Sequence, residues 1–327
     1  MAGRSLRGIL IELMDAFTAY RADLPPSPPL TTHHVLRPAE QSLPLVLASP
    51  HSGRDYSDDF VARSRLDARQ LRRSEDAFVD ELFAPAVDLG LPLLRALFPR
   101  AYVDPNREPF ELDPAMFIDA LPDYANTRSP RVAAGLGTIA RVVANGAEIY
   151  REKLTVAEAL QRIRSYYWPY HKALRELIDD TLGRFGVCLL LDCHSMPSGG
   201  IAPQAMNGTS KGRTAVGGGK AAGRVDIVLG DCHGTACSPA VVERATEVLK
   251  RLGYRVSRNQ PYSGGFVTRH YGRPAEGLHA LQIEINRALY MNEGTYRHAD
   301  GFQAVARDMA TLVADLGALD HSELAPS

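Results

Sequence analysis

The sequence predicts one α/β domain with a mixed central sheet flanked by helices. Short apolar runs, typical of buried strands, alternate with longer segments whose apolar residues recur at helical spacing. The chain has 327 residues and a hydrophobic content of 45%, enough to bury one large core. Such alternation is typical of a parallel or mixed sheet that is covered by helices on both faces.

The order of the elements follows from these patterns. Strands are expected where a short apolar run is bounded by turn residues, at 43–48, 93–98, 101–103, 187–191, 226–229, 254–257 and 279–285. Helices are expected where the apolar period is that of a helix and a glycine or another stop follows, at 67–89, 155–185, 239–252 and 301–316. Pro169 predicts a break or bend in the second of these helices.

Two segments do not fit this alternation. Residues 1–42 are predicted to form an amphipathic helix and a proline-rich linker, which leaves 43–327 as the main domain. Residues 198–220 are rich in glycine and predict a long loop. Long loops inside compact domains usually serve as functional lids or mobile segments.

Charge and cysteine usage exclude some classes of partner. The formal net charge is −1, from 37 basic and 38 acidic residues, so we expect neither nucleic acid nor an anionic membrane surface as a partner. Any anionic substrate must be held by locally placed Arg or Lys side chains. No apolar run is long enough to span a bilayer, and the cysteines lack the short spacing of a zinc ribbon. These observations favour a cytoplasmic protein with reduced thiols.

Polar side chains follow two of the predicted strands. His51 comes just after the first, and Asp192 and His194 come just after the strand at 187–191. Open α/β sheets place ligand crevices at the carboxyl ends of their strands. A lone His at such a place can simply cap backbone groups, but two of them with a carboxylate are the ingredients of a catalytic zinc site. Asp192 could ligate the metal or orient a ligand.

Glu284 lies within a predicted strand, 279–285, among apolar side chains. A carboxylate is rarely buried without a partner. Desolvation would raise its pKa, which suits a general base beside a metal site. The alternative is a buried salt bridge to a nearby basic residue such as Arg287.

Two arginines lie in predicted loops close to these strand ends. Arg107 ends the segment Asp104–Arg107, and Arg269 lies between glycines in 264–272. A guanidinium can bind a carboxylate with two parallel hydrogen bonds, so both residues could grip an acidic substrate. Either could equally be an ordinary solvated arginine.

Six short motifs together resemble the N-formylglutamate amidohydrolase family. They are PHSG (50–53), SED (74–76), DPNR (104–107), DCHS (192–195), GGFVTRHYG (264–272) and LQIEIN (281–286). The resemblance spans about residues 43–295. It implies a fold similar to zinc carboxypeptidases, with a mixed sheet of about eight strands between helices. It also implies a zinc hydrolase that releases formate from N-formylglutamate in histidine breakdown, or that acts on a similar small acidic N-acyl amino acid.

The resemblance also implies roles for individual residues. Carboxypeptidase-like families place the acidic metal ligand three residues after the first His. Arg54 holds that position here, so the acidic ligand must come from elsewhere in the chain. Asp76 is favoured over Glu75 and Asp192 as that ligand. One Zn²⁺ per chain, or another divalent metal, is expected. The implied roles are metal ligation by His51, Asp76 and His194; catalysis by Glu284 and Arg107; and substrate binding by Asn106, Arg269, His270 and Tyr271.

Two other classes of function remain alternatives. One is a carboxypeptidase-like peptidase or a cell-wall amidase, which would need a site open enough for a peptide. The other is a binding protein for an acidic metabolite without catalysis. Glu284 argues against the second, because a protein that binds anions gains nothing from a buried carboxylate.

Overall fold

The computed structural model describes residues 31–199 and 225–326. Its centre is a seven-stranded sheet with the strand order β1-β3-β2-β4-β7-β5-β6. These strands are β1 (His33–Leu36), β2 (Leu45–Ser49), β3 (Leu93–Ala96), β4 (Cys188–Met196), β5 (Ile227–Gly230), β6 (Val256–Arg258) and β7 (Leu278–Asn286). A separate two-stranded ribbon pairs β8 (Met291–Asn292) with β9 (Arg297–His298).

The sheet is mixed, as predicted. Strands β2, β3, β4 and β7 run parallel to one another, and β1 pairs antiparallel with β3. On the other side β5 pairs antiparallel with β7, and β6 is parallel to β5. Because the four central strands share a direction, their carboxyl ends meet at one edge of the sheet.

Helices cover both faces of the sheet. The α-helices are α1 (Asp58–Arg63), α2 (Ala68–Leu71), α3 (Val79–Phe83), α4 (Pro130–Ala133), α5 (Val156–Arg162), α6 (Trp168–Phe185), α7 (Pro239–Arg251), α8 (Phe266–Tyr271) and α9 (Phe302–Gly317). A π-helical segment joins α5 to α6 at Ile163–Tyr167. Short 3-10 segments lie at Arg72–Ser74, Ala84–Leu89, Pro114–Met116, Pro274–Glu276, Arg287–Leu289 and His321–Glu323.

Strand β4 divides its side chains between two different surroundings. Leu189, Leu191 and Cys193 belong to the main apolar core, which also holds buried residues of α3, α7 and α9. Asp192 and His194 alternate onto the opposite face, where α6 and α8 pack. One face of the sheet therefore provides stability, and the other carries polar side chains under a cover of helices.

Most of the predicted elements are present, with three corrections. Residues 101–103 form a turn and no strand. The helix predicted over 67–89 is broken into α2, α3 and two 3-10 segments, because Glu75 is extended and Phe78 is left-handed at φ 66°. The loop predicted around 264–272 contains α8.

The helix predicted at 155–185 is confirmed in position. Its start is fixed by a capping box between Thr155 and Glu158. At Pro169 the chain continues as a helix, since the preceding turns are π-helical and Pro169 falls in the first turn of α6. In the part of the chain that the structure describes, no helix is long and apolar enough to cross a membrane.

Residues 1–30 of the predicted N-terminal helix and linker, and all but the first residues of the glycine-rich segment, lie outside the described residues, and for them the predictions stand untested. The predicted boundary at residue 43 is wrong, because His33–Leu36 form β1 and pair with β3 in the central sheet.

Candidate active site and metal centre

Three side chains from separate parts of the chain meet beside the carboxyl ends of β2 and β4. They are His51, two residues beyond β2, His194 within β4, and Asp76 from the loop before α3. One ligand atom of each lies within 4.8 Å of the others, and all three residues are buried. The group that the resemblance implied is therefore assembled, and it could hold a metal ion.

Asp76 reaches the candidate metal site because the helix predicted over 67–89 is interrupted. The chain leaves the helical path at Glu75, and the backbone N–H of Asp76 donates to the carbonyl of His51 at 2.9 Å. Phe78 then adopts a left-handed conformation, which an aromatic residue rarely does. Such conformations concentrate at functional sites, where the surrounding structure holds them in place.

The acidic alternatives to Asp76 face elsewhere. Glu75 is clamped by Arg72 through two hydrogen bonds of 2.8 Å and also accepts one from Tyr56. Asp192 approaches His194 from the outer ring nitrogen, Nε2, at 2.8 Å. Asp76 is the carboxylate that faces both imidazoles at Nδ1, at 3.0 Å from His194 and 3.4 Å from His51.

A carboxylate contacts the outer ring nitrogen, Nε2, of each histidine. His51 Nε2 lies 2.7 Å from Asp104 Oδ1, and Arg100 donates to Asp104 Oδ2 at 2.7 Å. His194 Nε2 lies beside Asp192, which also accepts a hydrogen bond from Thr268 Oγ1 at 3.0 Å. A carboxylate at the outer nitrogen fixes the tautomer and ring orientation of a metal-binding histidine, and here it turns both Nδ1 atoms toward Asp76.

Asp76 is held as firmly as the two histidines. Arg287 Nη2 donates to Asp76 Oδ1 at 3.0 Å, and Arg287 Nε donates to Ser195 Oγ at 3.1 Å. This pairing also removes the alternative role for Glu284, because Arg287 is bound to Asp76. Within the described ranges, Glu284 forms no ion pair.

The donor set fits a divalent cation. His51 Nδ1 is buried and has no hydrogen-bond partner in the described part of the chain, although it points toward Asp76. A buried nitrogen without a partner is costly, and a cation between it and the Asp76 carboxylate would satisfy both. Two imidazoles and one carboxylate are also the ligand types that zinc takes in catalytic sites.

The electrostatics of the group agree with that fit. Burial would lower the pKa of His194, but Asp192, Asp76 and Glu284 outweigh it and raise that pKa well above its usual value. Burial would raise the pKa of Asp76, but the facing imidazoles hold it well below its usual range. The surrounding carboxylates thus favour positive charge at this point.

Glu284 lies next to the candidate metal ligands because of the sheet register. In the parallel pairing of β4 with β7, Glu284 is directly opposite His194, and Gln282 is opposite Asp192. Gln282 Nε2 donates to Glu284 Oε1 at 3.1 Å. Burial raises the pKa of Glu284 to about 7, with Asp76 and Asp192 adding to the shift. A carboxyl with this pKa can accept and release protons near neutral pH.

Arg107 is buried and bound to the backbone. Its guanidinium donates to the carbonyls of Leu136 and Asn106 at 3.0 and 2.9 Å, and it lies 3.8 Å from Asp104. Burial lowers its pKa to about 10, so it stays charged at neutral pH. Its predicted catalytic role stays a prediction.

The predicted substrate-binding residues of α8 lie at different depths. The Arg269 side chain is 63% exposed, with Glu108 Oε1 at 3.8 Å. His270 stacks on Phe266, and burial lowers its pKa to about 4, so its ring is neutral. Tyr271 is buried, and its hydroxyl lies 2.9 Å from His171 Nδ1. Arg269 is therefore the most accessible of the three, and Tyr271 packs inside the protein.

Sequence reasoning gave no role to several residues around the site. Asp104 lies in the DPNR motif that had been singled out, and its position two residues before Asn106 was the one available signal. Thr268 likewise lies in the GGFVTRHYG motif, but nothing in the sequence showed that it would donate to Asp192. Arg100 had no signal, because its contact with Asp104 depends on how the loop after β3 folds.

Comparison with known proteins finds the family that the six motifs resemble. A sequence model of the family described as FGase, N-formylglutamate amidohydrolase, matches residues 43–291. An N-formylglutamate deformylase of Pseudomonas putida is 31% identical over 261 residues, covering 78% of this chain and 85% of that protein. The N-formylglutamate deformylase of Pseudomonas aeruginosa strain PAO1 is 28% identical over 275 residues, covering 82% and 91%.

A solved structure shows the same likeness over nearly its whole length. It is the N-formylglutamate amidohydrolase of Ralstonia eutropha JMP134, which superimposes with a TM-score of 0.77 at 37% sequence identity. The similarity covers 88% of this chain and 98% of that one. The family match spans most of the sequence and includes all the residues that meet at the site. The chain therefore belongs to the N-formylglutamate amidohydrolase family.

Proposed function

We propose that this protein is a zinc-dependent amidohydrolase that removes the formyl group from N-formylglutamate or from a similar small acidic N-acyl amino acid. The observation that carries the proposal is the buried group of His51, Asp76 and His194 with Glu284 beside it. The relatives named above are deformylases or amidohydrolases of N-formylglutamate, which supports this substrate class.

In the proposed mechanism, His51, Asp76 and His194 hold one divalent cation. When bound, the cation polarises the scissile carbonyl and lowers the pKa of water. Glu284 accepts the proton of the attacking water at a carboxylate oxygen and returns it to the leaving amine. Asp104 and Asp192 keep the outer ring nitrogens protonated, so that both histidines present Nδ1 to the centre.

Arg107 and Arg269 are proposed to act on the anionic parts of the substrate. Arg107 is the more rigid, because two carbonyls fix its guanidinium. Arg269 can close on a side-chain or α-carboxylate, since among the described residues only a long contact to Glu108 engages it. Such a grip explains how a chain with a net charge of −1 could bind a dicarboxylate.

The proposed function predicts release of formate. Purified protein with one equivalent of Zn²⁺ should liberate formate and glutamate from N-formylglutamate in a coupled assay. We expect clearly lower turnover for N-formyl-leucine, which lacks the second carboxylate, and for a C-terminal glutamyl dipeptide. Preference for the dipeptide would support a carboxypeptidase-like peptidase, and tight binding without turnover would support a binding protein.

Substitution of Arg269 by Lys tests the carboxylate grip. Lys keeps the charge but loses the planar fork, so KM for N-formylglutamate should rise about tenfold while kcat changes little. Arg251→Lys is a matched control, because the Arg251 side chain is 62% exposed and pairs with Asp315 between helices α7 and α9, outside the candidate site. An unchanged KM in Arg269→Lys would show that Arg269 does not bind the substrate carboxylate.

The proposal also includes a likeness to zinc carboxypeptidases, a part in histidine breakdown and a cytoplasmic location. The likeness to zinc carboxypeptidases is supported by the ligand types and by the neighbouring glutamate, both as implied by the resemblance. A part in histidine breakdown follows if N-formylglutamate is the substrate. The cytoplasmic location remains an inference from the reduced thiols and the absence of a long apolar run.

A further inference from the structure

We propose that Asn106 is a positioning residue that joins the two carboxylate–histidine pairs into one unit. The inference rests on the proposed function, because the two histidines are taken as ligands of one cation. It replaces the role in substrate binding that the sequence suggested for Asn106.

All polar groups of Asn106 are engaged inside the protein. Its side chain is buried, and Oδ1 accepts a hydrogen bond from the backbone N–H of Val267 at 2.8 Å. Its backbone N–H donates to Asp104 Oδ1 at 2.8 Å, and its carbonyl accepts from Arg107. No polar group is left to point at a substrate.

The hydrogen bond from Val267 determines which way the carboxamide faces. Because Oδ1 must accept from an N–H group, Nδ2 is the atom turned toward β4. There it donates to Asp192 Oδ2 at 3.2 Å. It also lies 2.9 Å from His194 Nε2, but this is a contact between two donors and not a hydrogen bond, because the Nε2 proton is directed to Asp192 Oδ1. The opposite orientation would set an oxygen against the Asp192 carboxylate, which is repulsive.

Asn106 therefore contacts both pairs. Its backbone holds Asp104, the partner of His51, and its side chain holds Asp192, the partner of His194. A shift of this one residue would move the two carboxylates relative to each other, and with them the two imidazoles. Partners of this kind are commonly worth about ten- to a hundredfold in metal affinity.

Gly265 supports the same reading. A Cβ atom added at this glycine would lie 2.3 Å from Asn106 Oδ1 and 2.4 Å from Nδ2, closer than real Cβ contacts allow. The backbone at Gly265 is extended, at φ −90°, and any residue can adopt it. The glycine is therefore required by the space that the carboxamide occupies.

Metal affinity of the apoprotein, measured by competition with a zinc chelator, tests the proposal. Asn106→Ala should weaken Zn²⁺ binding about ten- to a hundredfold, with KM for N-formylglutamate at saturating zinc nearly unchanged. Asn286→Ala is a matched control: Asn286 is equally buried and also bonds a carbonyl and an N–H, but it contacts neither carboxylate. It should keep the affinity of the unchanged chain.

A double-mutant cycle with Gly265 makes the test independent of how well Asn106→Ala folds. Gly265→Ala displaces the carboxamide without changing its chemistry, so it should weaken zinc binding by itself. In the Asn106→Ala background the new methyl group enters vacated space, so the double variant should bind zinc no more weakly than Asn106→Ala. Losses that simply add would overturn the proposal.

Other outcomes separate this inference from the function on which it rests. Normal zinc affinity with a raised KM in Asn106→Ala would return the residue to substrate binding and overturn the inference alone. If the unchanged chain bound no divalent cation, the proposed function would fail and this inference would fail with it.

Discussion

Replacement of Glu284 by Gln should lower kcat by a factor on the order of 10² to 10⁴, while zinc binding and the fold are retained. Gln is nearly isosteric with Glu and keeps a hydrogen-bonding group toward Gln282. It cannot accept the proton of water, so the loss should fall on kcat and leave KM for N-formylglutamate close to its normal value. Single-turnover measurements on the zinc-loaded variant give the change in the chemical step directly.

The pH dependence should change in the same variant. Burial raises the pKa of Glu284 to about 7, so its carboxylate form is lost as the pH falls through that value. A general base works when deprotonated, so kcat/KM of the unchanged enzyme should fall about tenfold for each pH unit below this pKa. A bound cation nearby would move this limb to lower pH, because positive charge favours the carboxylate. The limb assigned to Glu284 should be absent in Glu284→Gln.

Glu111→Gln is the matched control for Glu284→Gln. Glu111 is also a buried glutamate, but its carboxylate accepts from the backbone N–H of Glu108 and, within the described residues, forms no hydrogen bond or ion pair with His51, Asp76 or His194. It should keep normal kcat. A fully active Glu284→Gln enzyme would rule out the proton-transfer role.

The second large effect concerns the metal itself. His51→Ala and His194→Ala should each reduce bound zinc from about one ion per chain to almost none, because three protein ligands are few enough that each is needed. Hydrolysis of N-formylglutamate should fall to background in both. Elemental analysis after gel filtration, together with the formate assay, measures the two losses.

His279→Ala separates loss of a ligand from loss of a buried histidine. His279 is buried in β7, and its ring nitrogens bond the backbone of Ser238 and Leu324. This variant should lose stability but keep its zinc. Thermal melts add a second reading, since zinc at about a hundred times its Kd should stabilise the unchanged chain by about 2.7 kcal/mol and the His51 and His194 variants hardly at all. Full zinc retention in both ligand variants would end the metal hypothesis.

The sequence was most informative where a histidine or carboxylate falls within or just after an apolar run that predicts a strand. His51 and His194 could be found because each follows an apolar run that predicts a strand. Glu284 stood out because a carboxylate within the apolar strand at 279–285 has no simple structural reason. These three residues lie on or just beyond parallel neighbours in the sheet, where sequence position converts directly into spatial position.

Features that depend on distant contacts could not be predicted in the same way. The apolar pattern of 67–89 favours one helix, and nothing local shows that Asp76 leaves it to bond His51. The pairing of Arg287 with Asp76 instead of Glu284 depends on which side chains meet after folding. For Asn106 the motif suggested a contact with substrate, and nothing local shows that its carboxamide hydrogen-bonds with Val267 and Asp192.

The direct pairing of His194 with Glu284 in the sheet has a consequence for how such an enzyme could diversify. Their separation is set by the fixed spacing of two hydrogen-bonded strands, and loop length does not enter it. Loops around the site can therefore lengthen, shorten or change composition without disturbing the spacing between that imidazole and that carboxylate. We expect altered acyl or amino-acid preference to come from loop changes, with the strand pair kept as a constant scaffold for hydrolysis.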